Sequence, residues 1–183
     1  TERPRRIDVT GCLELVLNDA EADAAHPAFS KLFVQTAHEP DREILVASRR
    51  PRSADEQHAC VAHAVVGEGA WEYETARGRF LGRGRAWSRP AALATARPLA
   101  GTAGNVLDPV FATRRSAVLA PGEKRRFTFV LAAGANREES LAILARFAGD
   151  ATRGASHEAA IDAALSDAPA RARSALERRG IGL

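Results

Sequence analysis

Apolar and polar residues alternate with a period of two through the first two-thirds of the chain, and the pattern then turns helical. Ile7, Val9, Leu13, Leu15 and Leu17 alternate with Asp8, Thr10, Cys12, Glu14 and Val16. Successive side chains of an extended strand point to opposite faces, so this stretch predicts a half-buried strand with its odd positions inward. Asn18-Asp19 ends it. Residues 20–30 are expected to form a loop or short helical turn, because Pro27 restricts His26 to extended geometry. Further strands are expected at 32–37 and 43–48, joined by the turn-forming Glu39-Pro40-Asp41, with 49–52 as a solvated loop. Another spans 58–66 before Gly67-Glu68-Gly69, and a shorter one spans 70–74. The best-patterned pair lies at 110–119 and 125–132. Pro121-Gly122 between them suits the central positions of a type II turn, since proline fixes φ near −65° and glycine supplies a positive φ. This pair is expected to be an antiparallel hairpin with Phe127, Phe129 and Leu131 on one face.

After Gly134 the apolar spacing becomes helical. Asn136 can cap a helix, with Glu139 reaching back in a capping-box arrangement, and Leu141, Leu144 and Ala148 line its stripe beside Ile143 and Phe147. Two more helices are expected, one starting near Ser156 and burying Ile161 and Leu165, the other over 168–179 with Asp167 as its cap, with a single helix kinked near Pro169 as the alternative. The chain therefore divides into a β-sandwich domain over 1–134 and a helical tail or linker over 135–183. Between the strands, residues 75–107 are rich in Gly, Pro and Arg and have no period, with one helical turn expected at 90–94. A loop of that length inside a compact domain is usually functional or disordered.

Composition narrows the classes. A chain of 183 residues suits one domain with a sizeable core. The net charge of +3, from 26 bases against 23 acids, describes a mixed surface and not a polybasic arm. Seven Phe, two Trp and one Tyr are too few to interleave as base-stacking plates, so nucleic acid is not an expected partner. Cys12 and Cys60 sit in apolar strand segments and read as buried free thiols of a reducing compartment. No apolar run reaches the roughly 20 residues of a membrane span, and the expected location is cytoplasmic.

Candidate chemistry is sparse. In a strand His58 and Cys60 share a face while His63 points the other way, short of the four convergent ligands zinc wants, so no metal site is assigned. Gly82-Arg83-Gly84 lacks the third glycine of a dinucleotide fingerprint, and no P-loop or nucleophile elbow is present, so no cofactor is expected. Asp108, between Leu107 and Pro109, is the most conspicuous acid; it reads as a turn residue and has no second placed carboxylate, so no catalytic set is assigned. The remaining signal is Arg77, Arg79, Arg83, Arg85 and Arg89, a run with no acid between 77 and 89. Arginine forks onto phosphate or sugar hydroxyls, and Trp87 or Phe80 could stack on a sugar's apolar face. The alternative is a solvated loop whose arginines pair with Glu72 and Glu74.

Four motifs occur in order: Ala25 to Phe33 (AHPAFSKLF), Tyr73 to Arg85 (YETARGRFLGRGR), Leu107-Asp-Pro-Val-Phe111, and the Leu-Ala-Pro-Gly-Glu turn at 119–123. Together they resemble the β-sandwich region that precedes the catalytic barrel in glycoside hydrolase family 94, which holds the cellobiose and chitobiose phosphorylases and the C-terminal part of the cyclic β-1,2-glucan synthases. The synthase branch looks closest. The resemblance runs from about Ile7 to Phe147 and implies a mainly β, galactose-mutarotase-like supersandwich of antiparallel strands, entered partway, with C-terminal α-helices. Ala76 and Gly78 stand where the family pattern would carry an acid and a larger residue.

The resemblance implies a non-catalytic carbohydrate-associated module of a glucan-processing enzyme, whose (α/α)₆ barrel carries the general acid outside this chain and whose parent is anchored in an inner membrane. Implied partners are a β-glucan or oligosaccharide, that barrel, and a second copy in a homodimer. Phe80, Arg83, Arg85 and Trp87 are the candidate substrate-binding residues. A freestanding carbohydrate-binding module and a purely structural dimerisation domain are the alternatives.

Overall fold

A computed structural model describes residues 2–53, 56, 59–95, 97–148, 162 and 166–170. Seven strands form two antiparallel sheets. The first sheet runs in the order β1 (Arg5–Glu14), β6 (Pro109–Leu119), β5 (Ala70–Ala76). The second runs β2 (Val34–Glu39), β3 (Ile44–Arg49), β4 (Cys60–Val66), β7 (Thr128–Gly134). The chain is thus a mainly β sandwich, as its periodicity predicts. Leu13 lies directly opposite Phe111, whose side chain is fully buried between the sheets, so the odd positions of β1 do face inward. The strand is shorter than its pattern, because Leu17 takes a left-handed φ of 49° and turns the chain out.

Two short helices, α1 (Ala20–Ala25) and α2 (Pro27–Lys31), fill the segment before β2, with His26 between them at φ −145° and ψ 72°, non-helical but short of the extended geometry expected before Pro27. The turn at 39–43 is a single 3₁₀ turn over Pro40–Arg42 that ends with Glu43 in the left-handed region. His58, expected to open β4, lies outside the described residues, and the strand begins at Cys60. The aperiodic 75–107 segment is folded: α3 (Arg77–Leu81) follows β5, a 3₁₀ turn covers Ala91–Leu93, and Gly104 bridges to Thr36.

The expected hairpin of 110–119 with 125–132 is overturned. The turn itself is as its residues dictate: Gly122 has φ 77° and the Glu123 amide donates to the Ala120 carbonyl at 3.1 Å. Yet β6 pairs with β1 and β5, while β7 pairs with β4 in the other sheet. Residues 124–127 carry the chain from one layer to the other, and Phe127 packs over Gly67, where a β-carbon would approach its ring to 2.7 Å. A turn motif fixes a chain reversal but not the partner of the strand that leaves it. In β7 the buried side chains are Val130 and Ala132, whereas Phe129 and Leu131 are partly exposed.

Helix α4 (Arg137–Ala148) covers the outer face of the second sheet. Its cap is a reciprocal pair: the Glu139 amide donates to Asn136 Oδ1 at 2.9 Å, and Glu139 Oε2 accepts from the Ala135 amide at 2.7 Å. Leu144 and Ala148 are buried against Val46, Ala62, Ala64 and Ala132, with Leu141, Ile143 and Phe147 beside them. The helices expected beyond this point lie outside the described residues, apart from residue 162 and residues 166–170, which are helical; Asp167, expected as a cap, lies inside that stretch and not at its start.

Between the sheets sits a small polar line. His63 lies parallel to Phe111 at 5.7 Å and to Phe129 at 6.2 Å. Its Nδ1–H donates to the Val130 carbonyl at 2.9 Å, so Nε2 accepts the Thr113 hydroxyl at 3.0 Å. Arg115 donates to the Val65 and Gly69 carbonyls and pairs with Glu43 at 2.5 Å. Burial pushes the His63 imidazole down to about 4, against an opposing pull from its bond to Val130. The folded state therefore binds fewer protons than the unfolded chain between that value and the ordinary histidine pKa. His63 contributes stability that is complete above pH ~6.5 and is lost as pH falls to ~4, about 3 kcal/mol in all. Urea titrations across that range should show this slope in the parent. His63→Gln, which carries an amide donor and a carbonyl acceptor but cannot ionise, should remove it.

Candidate functional site

The outer face of the first sheet is covered by chain that the even positions of β6 hold down. Val110 and Ala112 bury Phe80, which is only 2% exposed, beneath Ala92 and Leu99. Arg114, next along the same face and itself buried, donates to the Ala92 carbonyl at 2.8 Å and the Arg97 carbonyl at 3.1 Å. It also reaches Glu72 at 3.3 Å and Thr10 at 3.2 Å. Glu72 completes the clamp by accepting the Leu99 amide at 3.0 Å. One buried guanidinium therefore fixes both ends of the 92–97 stretch. Gly82, with φ 85°, lets the chain leave α3 tightly, since a β-carbon there would meet Ala91 at 2.7 Å.

On this base stand the exposed residues. Arg77 pairs with Glu14 at 2.8 Å and Asp108 at 3.6 Å, and its guanidinium lies over the Trp87 ring at 5.1 Å. Asp108 also meets Lys31 at 3.3 Å, so it works as an ion-pair anchor for α2 and α3. Trp87 is 41% exposed and rests on Phe80 at 6.2 Å. Arg79, Arg83, Arg85 and Arg89 are exposed, and none makes an ion pair with another described residue. The expected alternative partners are occupied elsewhere: Glu72 holds Arg114, and Glu74 is buried with one oxygen accepting the Ala76 amide. An open hollow of about 670 Å³ is lined by Gly84, Arg85, Ser88, Arg89 and Leu93.

The four predicted residues are thus distributed and not convergent. Arg85 lines the hollow, Arg83 is exposed outside its lining, Trp87 lies over Arg77, and Phe80 supports Trp87 from within the core. Sequence reasoning missed Arg114, because an Arg-Arg pair in a strand reads as solvent-facing. It also missed Arg89 as a wall of the hollow. Among the described residues no three His, Cys, Asp or Glu side chains converge as metal ligands. Both cysteines are free thiols, but only Cys60 is buried as expected; Cys12, at an even position of the edge strand β1, is exposed.

Two antiparallel sheets face to face, a helix on one outer face and an arginine-rich loop surface on the other, define a β-sandwich module. The Glycosyl hydrolase 94, supersandwich domain matches residues 1–150, and the chain belongs to that family. It is 37% identical over 138 residues to the cyclic beta-(1,2)-glucan synthase NdvB of Rhizobium meliloti (strain 1021). That match covers 73% of this chain and 5% of the relative, so the chain spans a small part of that protein's length.

The clamp makes a direct prediction. Arg114→Ala leaves the Ala92 and Arg97 carbonyls without their donor and Glu72 without its cation, and the 82–97 stretch should loosen while the sheets persist. Limited trypsin digestion should cut after Arg83 or Arg85 at least about tenfold faster in the variant, the equivalent of ~1.4 kcal/mol of local opening. Equal rates would contradict the clamp.

Proposed function

We propose that this chain is a non-catalytic, carbohydrate-associated module of a glucan-processing enzyme of the cyclic β-1,2-glucan synthase or inverting disaccharide phosphorylase type. In that role it supports a catalytic (α/α)₆ barrel supplied by the rest of the parent protein, on the cytoplasmic side of the membrane. The 77–94 surface is its point of contact with the glucan. The observation that carries this reading is the set of exposed arginines without acid partners beside an exposed tryptophan, held on a clamped loop in a chain of this family.

The chemistry suits a neutral sugar chain. Guanidinium groups donate to ring hydroxyls, and the indole face covers the apolar face of a pyranose. Leu93, 53% exposed, adds apolar surface to the hollow. Among the described residues no helix is long and apolar enough to cross a membrane. In this reading Phe80 contributes by holding Trp87 in place, and Arg83, Arg85 and Trp87 make the contact.

Calorimetric titration with linear β-1,2-glucan tests this. The parent chain should bind, and Trp87→Ala and Arg85→Ala should each weaken binding about tenfold, or ~1.4 kcal/mol, with the thermal transition unchanged. A parent chain that takes up no glucan, or variants that bind as well as the parent, would refute the contact surface.

A further inference from the structure

Arg79, Arg83, Arg85 and Arg89 share the 77–94 surface with no acid of their own among the described residues. The acids that touch this surface are committed elsewhere: Glu14 and Asp108 hold Arg77, and Glu72 holds Arg114. The hollow repeats this one-sidedness. Its lining has Arg85, Ser88 and Arg89 as polar side chains and no carboxylate or carboxamide. The turn that carries them is fixed, since the Arg89 amide donates to the Ala86 carbonyl at 2.9 Å and Gly84 takes a φ of 69°. Beneath it Phe80 is buried and Arg114 clamps the 92–97 stretch, so these like charges are held together and cannot spread apart.

We propose that the glucan taken by this surface carries negative charge: a pyranose rests on Trp87, and an oxyanion borne by the same chain, phosphoryl or carboxyl, enters the hollow walled by Arg85 and Arg89. This deepens the glucan-contact reading and rests on it. The hydroxyls of a neutral glucan can occupy the donors of these side chains, but they leave the charges uncompensated. An oxyanion supplies both. A guanidinium forks onto two oxygens of a phosphoryl or carboxyl group, and charge strengthens the hydrogen bonds it makes there.

Apolar neighbours point to a charge carried on a sugar and not to a bare ion. Trp87 stands in the turn between Ala86 and Ser88, both of which line the hollow, so a ring stacked on its indole lies beside the arginine wall. Leu93, 53% exposed on the same lining, offers the carbon skeleton of a sugar a surface that a free ion would not use. Arg79 on α3 and Arg83 just after it stand outside the lining. They act at longer range, drawing an anionic chain toward the hollow until salt screens them beyond about 8 Å at physiological ionic strength.

Calorimetric titration of the full chain with size-matched β-1,2-glucans tests this, one neutral, one phosphorylated and one carboxymethylated. At low salt a charged form should bind at least about tenfold more tightly than the neutral one, and the gap should close in ~1 M salt, where the Debye length is ~3 Å. Arg89→Gln leaves the turn's backbone bond in place and should close the gap by weakening the charged form alone. Equal affinity for all three glucans, or a gap that survives Arg89→Gln, would overturn the proposal and leave the glucan contact standing. A charged form that binds where the neutral one does not would support it and refute the neutral ligand. No binding by any of the three would overturn both. Inorganic phosphate or polyglutamate binding as tightly as a charged glucan would also overturn it, because charge alone would then be enough.

Discussion

Three consecutive residues of β6, Thr113, Arg114 and Arg115, tie the layers of this molecule together. The strand is buried on both faces, so its alternating side chains enter two different interiors. Thr113 and Arg115 point between the sheets, where one bonds to His63 and the other to the Val65 and Gly69 carbonyls and Glu43. Arg114 points the other way and clamps the 92–97 stretch. A buried guanidinium without partners would cost several kcal/mol, so each of these groups tolerates only the arrangement that satisfies it. Apolar packing alone would let the sheets slide or re-register. The polar contacts remove that freedom.

The exposed 77–94 surface depends on the same strand. Trp87 and the exposed arginines sit on chain whose own secondary structure is slight, a five-residue helix and a 3₁₀ turn. Order comes to it from below, through Phe80 in the core and through Arg114 with Glu72. Arg77, held by Glu14 and Asp108, fixes Trp87 from the side. For the proposed glucan contact, side chains ordered in advance reduce the entropy that binding costs.

Much of this architecture was legible in the residues. Alternation of Ile7 to Leu15 gave the inward face of β1, Asn136 with Glu139 gave the cap of α4, and Pro121-Gly122 gave the turn. The hairpin was misread because a tight turn is local, whereas the choice of sheet is made by Phe127 over Gly67 and by the fit of β7 beside β4. The 75–107 segment lacked a period because α3 is too short to show one. The arginine cluster stood out through its missing acids, but Arg114, which organises it, did not. Nothing in its sequence neighbourhood marks it as buried, and only the tertiary structure supplies the carbonyls and carboxylates that let Arg114 and Arg115 be buried.

Native-state hydrogen exchange, residue by residue, tests the role of β6 most directly. If Thr113, Arg114 and Arg115 join the layers, amides of β4 and β6 exchange with one common free energy equal to that of global unfolding. Amides of the two sheets exchanging with separate free energies, each below the global value, would mean that the layers open independently and that the strand does not bind them.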